Sequence, residues 1–365
     1  METAPAYSNE FLNFMRLTGD HPADEALASL FMDLESKQQL RIWLEGLKTN
    51  VQLESGRSLL EKVKTLPMPE SFFQSELMQQ AAQLPAWANA SLMKKGSQFF
   101  AAHAEVILNL LGLLSLPYCY AAADGAMVLQ LSERMRNDTG KRLFDTADFV
   151  WDVMAPDAFE RLGSGFASIL KVRLGHAAAR YYTSRNSEWN SSWGVPVNQE
   201  DMAGTNLSMS LIVIRGMRKL GFTVQYEEQQ AFMHLWNVIG ALLGIRQELL
   251  PETGKEAQLL ESAIRTRHFK TSPHGQSLTR SLTEYLSQAA KEQGLPADDL
   301  LGLMRFLLGD ELSRLLHIEA PQLSAGKLRA LKSVNFINDW KPVGNYRSAY
   351  HQAHRKFRMQ KPVLR

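Results

Sequence analysis

His176 and Arg180 stand four residues apart in "RLGHAAARYY" (173–182), with three alanines between them. On a helix, positions four apart share a face. An imidazole and a guanidinium would then point the same way beside a wall of small side chains. A flat macrocycle asks for this equipment: haem needs an axial nitrogen, a cation for a propionate and an open apolar surface. The same residues also make an alanine-rich helix with a half-buried histidine and a surface arginine, and the spacing alone leaves both readings open.

Other chemistry-bearing residues compete. His234, in "FMHLWNVIG", lies in an uncharged helix beside Trp236; it is read as a core histidine and as the chief rival axial ligand. His103 and Glu105 have the wrong spacing for a zinc-protease helix. His351 and His354 share a helical face in a basic tail, where no acid or cysteine completes a metal site. Cys119 is the only cysteine, so an internal disulfide and a cysteine-held cluster are excluded. Arg142 and Asp145 are three apart and can pair across a helical turn, either to hold polar ligands and shuttle a proton or simply to fix a helix rim. No glycine-rich phosphate loop and no G-x-S-x-G turn is present.

The elements that must position these residues are helical. "DEALASLFMDL", "SELMQQAAQL" and "SLTEYLSQAAKEQ" space apolar residues three and four apart, and no alternating run with a hairpin turn occurs. Asn198 in "PVNQEDMAGT" is expected to cap a helix whose first turn carries Glu200 and Asp201, aiming Thr205 into the core. Gly221 is expected to break one helix before the next begins. Three uncharged runs, 106–123, 202–214 and 231–245, suit the central helices of a large bundle. The first of these is near the length of a membrane span. Pro117 is expected to push Leu116 out of helical geometry, so two buried segments joined at a kink are expected and no transmembrane span. Residues 1–95 read as a helical extension packed on the core, 96–325 as the central domain and 326–365 as a basic tail. That tail holds seven Lys or Arg and no acid from Lys341 onward, and is expected to be solvated and partly disordered, with weak membrane-surface contact as its other reading.

The 365 residues carry a formal net charge of +2, too small to point to nucleic acid as the partner. With one cysteine and no apolar run behind a basic cluster at the start, a reducing, cytoplasmic setting is expected.

Four blocks in order, "GKRLFDTADFV" (140–150), "KVRLGHAAARYY" (171–182), "WGVPVNQEDMAGTNLSMS" (193–210) and "AFMHLWNVIGALLGIRQELLP" (231–251), resemble the rubber oxygenases (latex clearing proteins) and MpaB-type oxygenases. "LLGDELSRLLHI" (307–318) is a weaker match. The resemblance implies an all-α fold, a large helical bundle with a globin-like core around haem b. It puts His176 at the axial iron ligand, Arg180 at the arginine that follows it, Thr205 in a block lining the haem, and Arg142 and Thr146 on the distal side. Asp145 stands where rubber oxygenases carry a lysine, and a gapless count puts Ala126, with Asp124 nearby, where they carry a glutamate base.

Those departures speak against rubber as substrate. The expectation is a haem b-dependent oxygenase using dioxygen on a small hydrophobic molecule of the terpenoid or unsaturated-lipid class. Arg142, Asp145 and Thr146 form the catalytic set, and His176, Arg180 and Thr205 bind the cofactor. A haem peroxidase or peroxygenase, and a non-catalytic haem sensor or carrier, are the alternatives.

Overall fold

The computed structural model describes residues 7–54, 68–132, 139–292, 294, 296–339 and 344–360. Among them every regular element is helical; the one β-type contact is an isolated bridge between Ala122 and Phe269. The principal helices are α1 (Asn9–Arg16), α2 (His21–Phe31), α3 (Leu34–Gly46), α4 (Ala90–Leu110), α5 (Ala123–Leu131), α6 (Thr139–Met154), α7 (Gly165–Thr183), α8 (Gln199–Met209), α9 (Leu211–Lys219), α10 (Tyr226–Leu242), α11 (Gly254–His268), α12 (Pro273–Glu292), α13 (Ala297–Leu308), α14 (Ala325–Asp339) and α15 (Tyr346–Gln360). The all-α expectation holds.

Two hydrophobic cores share one helix. The larger is built on α4 and α10, whose close approach requires Gly96: a Cβ there would lie 2.6 Å from the Ala231 carbonyl. It gathers Phe100, Trp151, Phe232, Trp236 and Met217. The smaller packs Leu27, Leu30, Trp43 and Phe72 of the N-terminal helices against Leu170, Leu174 and Ala177 of α7. Helix α7 also gives Phe166 and Ile169 to the larger core. It is therefore clamped on two sides, and His176 falls between Leu174 and Ala177, both of the smaller core.

The local signals act as read at several points. Asn198 Oδ1 accepts the Asp201 amide at 2.9 Å and caps α8. Gly221, at φ +95°, ends α9, and Gln225 with Glu228 forms a reciprocal cap that starts α10. The periodicity of 75–84 yields only a short helix, Glu76–Gln80.

Two expectations are corrected. Leu116 is helical, at φ −66° and ψ −51°, so Pro117 makes no kink. Instead Leu111–Ser115 winds as a π-helix between α4 and Leu116–Tyr120. The wider turn shifts the hydrogen-bond register just ahead of the proline, which has no N–H to give. The stretch Ala90–Tyr120 is long and apolar enough to cross a membrane, yet most of its apolar window is buried inside the protein. The described part of the basic tail is not free either. Helix α15 lies on α4, with Tyr350 buried and its hydroxyl donating to the Trp151 carbonyl at 2.7 Å. His354 stacks on Trp151, so it is an aromatic packing residue. Lys341, Lys361 and Arg365 lie outside the described residues.

Candidate functional site

Helix α7 presents the site, and the N-terminal helix α2 holds it in place. On either side of His176, Arg173 and Arg180 reach back to two carboxylates one turn apart on the approach to and first turn of α2. Arg173 meets Asp20 in a fork, Nε to Oδ2 at 2.6 Å and Nη2 to Oδ1 at 2.9 Å, and both side chains are buried. Arg180 Nε donates to Asp24 Oδ1 at 2.6 Å and its Nη1 to the Val197 carbonyl at 3.1 Å. Gly244, at φ +89°, permits the first pair; a Cβ there would sit 2.3 Å from Asp20 Oδ2. Gln199 ties the same corner, donating to the Gly19 and Gly244 carbonyls at 2.8 Å.

Among the described residues, His176 Nδ1 is buried without a hydrogen-bond partner. Burial, and after it the Arg180 guanidinium, push the His176 pKa down to about 4, with Asp20 opposing. The imidazole is therefore neutral at pH 7, the form that binds a metal ion. The neighbouring Gly175 is exposed, and a Cβ on it would meet nothing within 4 Å. Of the three alanines, Ala177 is buried in the smaller core and Ala178 packs against it. The open stretch beside His176 is thus Gly175, with Ala179 one turn on.

Facing α7 are residues from three further elements. Arg142 on α6 is partly exposed as a residue, but its Nε is buried and unpartnered. Burial pushes its pKa down, and Tyr120, Cys119 and Asp145 act in the other direction; arginine nonetheless stays charged. Thr146 follows one turn later, partly buried. Cys119 donates to Ser208 Oγ at 3.2 Å, and its thiol, raised by burial, is also met by Thr205 and Arg142. Thr205 Oγ1 otherwise donates to the Asp201 carbonyl at 3.0 Å, and Thr205 is exposed, so α8 does not aim it into the core as the sequence suggested. The structure thus brings Arg180 and Arg142 within electrostatic reach of His176, and Thr205 and Arg142 within reach of Cys119. It adds Cys119 and Tyr120, which the sequence reading did not place there. Their apolar surroundings in "LPYCYAAA" marked them as core, and only the fold brings the thiol to Ser208 and within the field of Arg142.

Asp145 does not pair with Arg142. Its carboxylate takes Lys141 at 2.7 and 3.0 Å, with 49% of the side chain exposed. The i,i+4 partner wins because both ends stay in water, while Arg142 turns inward. Asp145 acts on Arg142 only through space.

His234 is not poised as a ligand. Its Nε2 accepts the Asn89 amide at 2.9 Å, and its ring meets Trp87 edge-on. His103 packs on Phe99 and Phe222. Glu200 and Asp201 do more than answer a helix dipole. Glu200 is fully buried against Arg267 at 2.8 Å and His268 at 2.9 Å, and Asp201 holds Arg16 at 3.0 Å. They bolt α1 and α11 to α8, which carries Thr205.

Among the described residues, no group of three or more His, Cys, Asp or Glu side chains could hold a bare metal ion. One neutral imidazole suits a metal that arrives with its other ligands. Two guanidinium nitrogens without partners, Arg142 Nε and Arg180 Nη2, suit an anionic or acceptor-rich edge. The donor set fits a planar, acid-edged prosthetic group.

Comparison with known proteins assigns the chain to a family. Residues 93–334 match the family described as ER-bound oxygenase mpaB/B′/rubber oxygenase, catalytic domain, a span that encloses 96–325. The rubber oxygenase of Streptomyces sp. (strain K30) is 26% identical over 244 residues, 66% of this chain; the chain spans 59% of that relative's length. The solved structure of latex clearing protein LCP in the closed state superposes with a TM-score of 0.75, over 96% of this chain and 91% of that one, at 22% identity. That likeness is one of fold. With the family match covering most of its length, the chain belongs to the mpaB/B′ and rubber oxygenase catalytic-domain family.

Proposed function

We propose that this protein is a haem b-dependent oxygenase that uses dioxygen to oxidise a small hydrophobic molecule of the terpenoid or unsaturated-lipid class, in the cytoplasm. The observation that carries the reading is the neutral His176, its Nδ1 unpartnered, between two guanidiniums that each keep a free buried nitrogen. Haem b, when bound, supplies iron for dioxygen activation; the protein supplies ligand, polarity and access. His176 is the iron ligand. Arg180, fixed by Asp24, offers its free Nη2 to a propionate. Arg142 brings fixed positive charge to the side lined by Cys119 and Thr205, and Thr146 borders it. In a low-dielectric pocket such a charge stabilises developing negative charge far better than it would in water. Family membership supports an oxygenase, and the single thiol Cys119 accords with a reducing compartment.

A Soret band and a b-type pyridine haemochrome in purified protein, with oxygen uptake on adding a terpenoid or an unsaturated fatty ester, test the proposal. Colourless protein from haem-supplemented cells would refute it. A peroxygenase is the second reading, favoured by the buried, unpartnered Arg142 nitrogen; turnover that requires peroxide and consumes no dioxygen would decide for it.

A further inference from the structure

A second cleft lies between α9 and α11, closed at one end by the Leu307–Leu312 turn. Its volume is about 430 Å³, within the usual range for small-molecule sites. It is amphipathic. The inner part is walled by Leu114, Ile212 and Leu312, all buried. The rim carries Arg215, Lys219 and Arg265.

The lining holds three cations, Arg215, Lys219 and Arg265, and three carboxylates, Glu261, Asp310 and Glu311, but they do not pair one to one. Buried Glu261 is one carboxylate shared by two guanidiniums, Arg215 Nη1 at 2.8 Å and Arg265 Nε at 3.5 Å, and it also accepts the Tyr118 hydroxyl. Asp310 is taken by Arg305 at 2.8 Å. Glu311 is largely exposed and 3.9 Å from Arg265. Among the described residues, the Lys219 ammonium is met only by the Leu307 carbonyl, at 2.7 Å. Half-buried, it is pushed toward its neutral form by burial and by Arg215. A cation held beside other cations in a partly dry cleft is stabilised by an incoming anion.

The geometry points to a binding site for an amphipathic carboxylate, its head against Lys219, Arg215 and Arg265 and its hydrocarbon chain against Leu114, Ile212 and Leu312. Guanidinium forks match a planar carboxylate, and the apolar inner wall calls for a tail that a free inorganic anion lacks. The cleft is separate from the His176 site, with which it shares none of its lining residues. The two meet across the helix Leu116–Tyr120: Tyr118 faces the cleft, while Cys119 turns to Ser208. The inference is independent of the prosthetic group.

Calorimetric titration of the full chain with decanoate, below its micellar concentration, tests it. Saturable binding is expected, weakened at least tenfold by Lys219→Met and by Arg265→Gln and retained by Lys219→Arg, with decanol and inorganic phosphate each binding more weakly than decanoate. Arg215 is left intact because it anchors Glu261. Absence of decanoate binding, equal affinity in Lys219→Met and wild type, or competitive displacement of decanoate by imidazole would overturn the proposal. The last outcome would place the acid at His176 instead.

Discussion

Asp24 and Arg180, 156 residues apart in the chain, meet at 2.6 Å one helical turn beyond His176. The Asp24 side chain is 37% exposed and that of Arg180 only 5%. Burial raises the Asp24 carboxyl more than Arg180 lowers it, so the pair contributes less than its distance suggests. Asp24→Asn keeps a hydrogen-bond acceptor and leaves the Val197 carbonyl on Nη1. It should cost about 1–2 kcal/mol, between exposed and buried pairs, and speed haem loss modestly. Arg180→Leu removes the free Nη2 as well and should speed haem loss much more. Haem transfer to apomyoglobin measures both, and equal rates in the two variants would return Arg180 to a purely structural role.

The two histidine candidates separate by their partners. His176→Ala removes the buried imidazole whose Nδ1 has neither a hydrogen bond nor a carboxylate beside it, unlike His268, which meets Glu200; it should abolish most haem binding while helical circular dichroism persists, since alanine favours the helix. His234→Ala removes the acceptor of the Asn89 amide. It should retain haem and lose about 1 kcal/mol of stability. Exchanged phenotypes in the Soret and denaturation data would reverse the assignment.

Acid stability of the haem-free protein should report His176. Its folded pKa is about 4, against about 6.5 in the unfolded chain. Between those values the unfolded chain holds a proton that the folded protein does not. Stability therefore falls as pH drops from 6.5 to 4 and is level, for this group, above and below the window. The full effect is about 3 kcal/mol. Denaturant midpoints of His176→Gln should fall less over this window than those of wild type, and parallel curves would show that burial does not depress this histidine.

Much of the site was legible because it lies on helix α7 and on strongly patterned helices. The four-residue spacing gave the His176–Arg180 face, and the Asn198 cap located the start of α8, although Thr205 on that helix is exposed rather than turned into the core. What the sequence withheld were partners distant in the chain. Nothing near Arg173 marks Asp20 as its carboxylate, and the apolar run around Cys119 hides its hydrogen bond to Ser208 and the field of Arg142 upon it. Pro117 was misjudged because local sterics predict a break, whereas the π-turn before it absorbs the missing donor. The tail was misjudged because charge counting overlooked the face formed by Tyr350, His354 and Phe357, which Trp151 accepts.

That docking carries its own test. Tyr350→Phe deletes a buried hydrogen bond to the Trp151 carbonyl and should cost about 1–2 kcal/mol, the lost bond plus an unsatisfied acceptor. Truncation before Tyr346 uncovers the Trp151 ring and should lower the melting temperature further. A truncated protein that melts with the wild type would mean that α15 is a free tail after all.

Arg142 and Asp145 stand three residues apart in sequence but lie in different surroundings. Asp145 sits in water with Lys141, and exposed helical pairs of this kind contribute about 0.2–0.5 kcal/mol. Asp145→Asn should then leave stability and haem content nearly unchanged. It removes a carboxylate that acts on Arg142 through space, so any change should be a small rise in affinity for anionic ligands such as cyanide. Arg142→Met acts on the interior. It removes a buried cation whose Nε has no partner, which should stabilise the fold slightly, because a buried charge without its counterion is unfavourable. It should also lower turnover by at least tenfold, because the positive charge is lost from the side lined by Cys119 and Thr205. A stability gain with full activity would show that Arg142 does not serve the reaction. If instead Asp145→Asn lost activity and Arg142→Met did not, the carboxylate would have to leave Lys141 during turnover and act in the pocket itself.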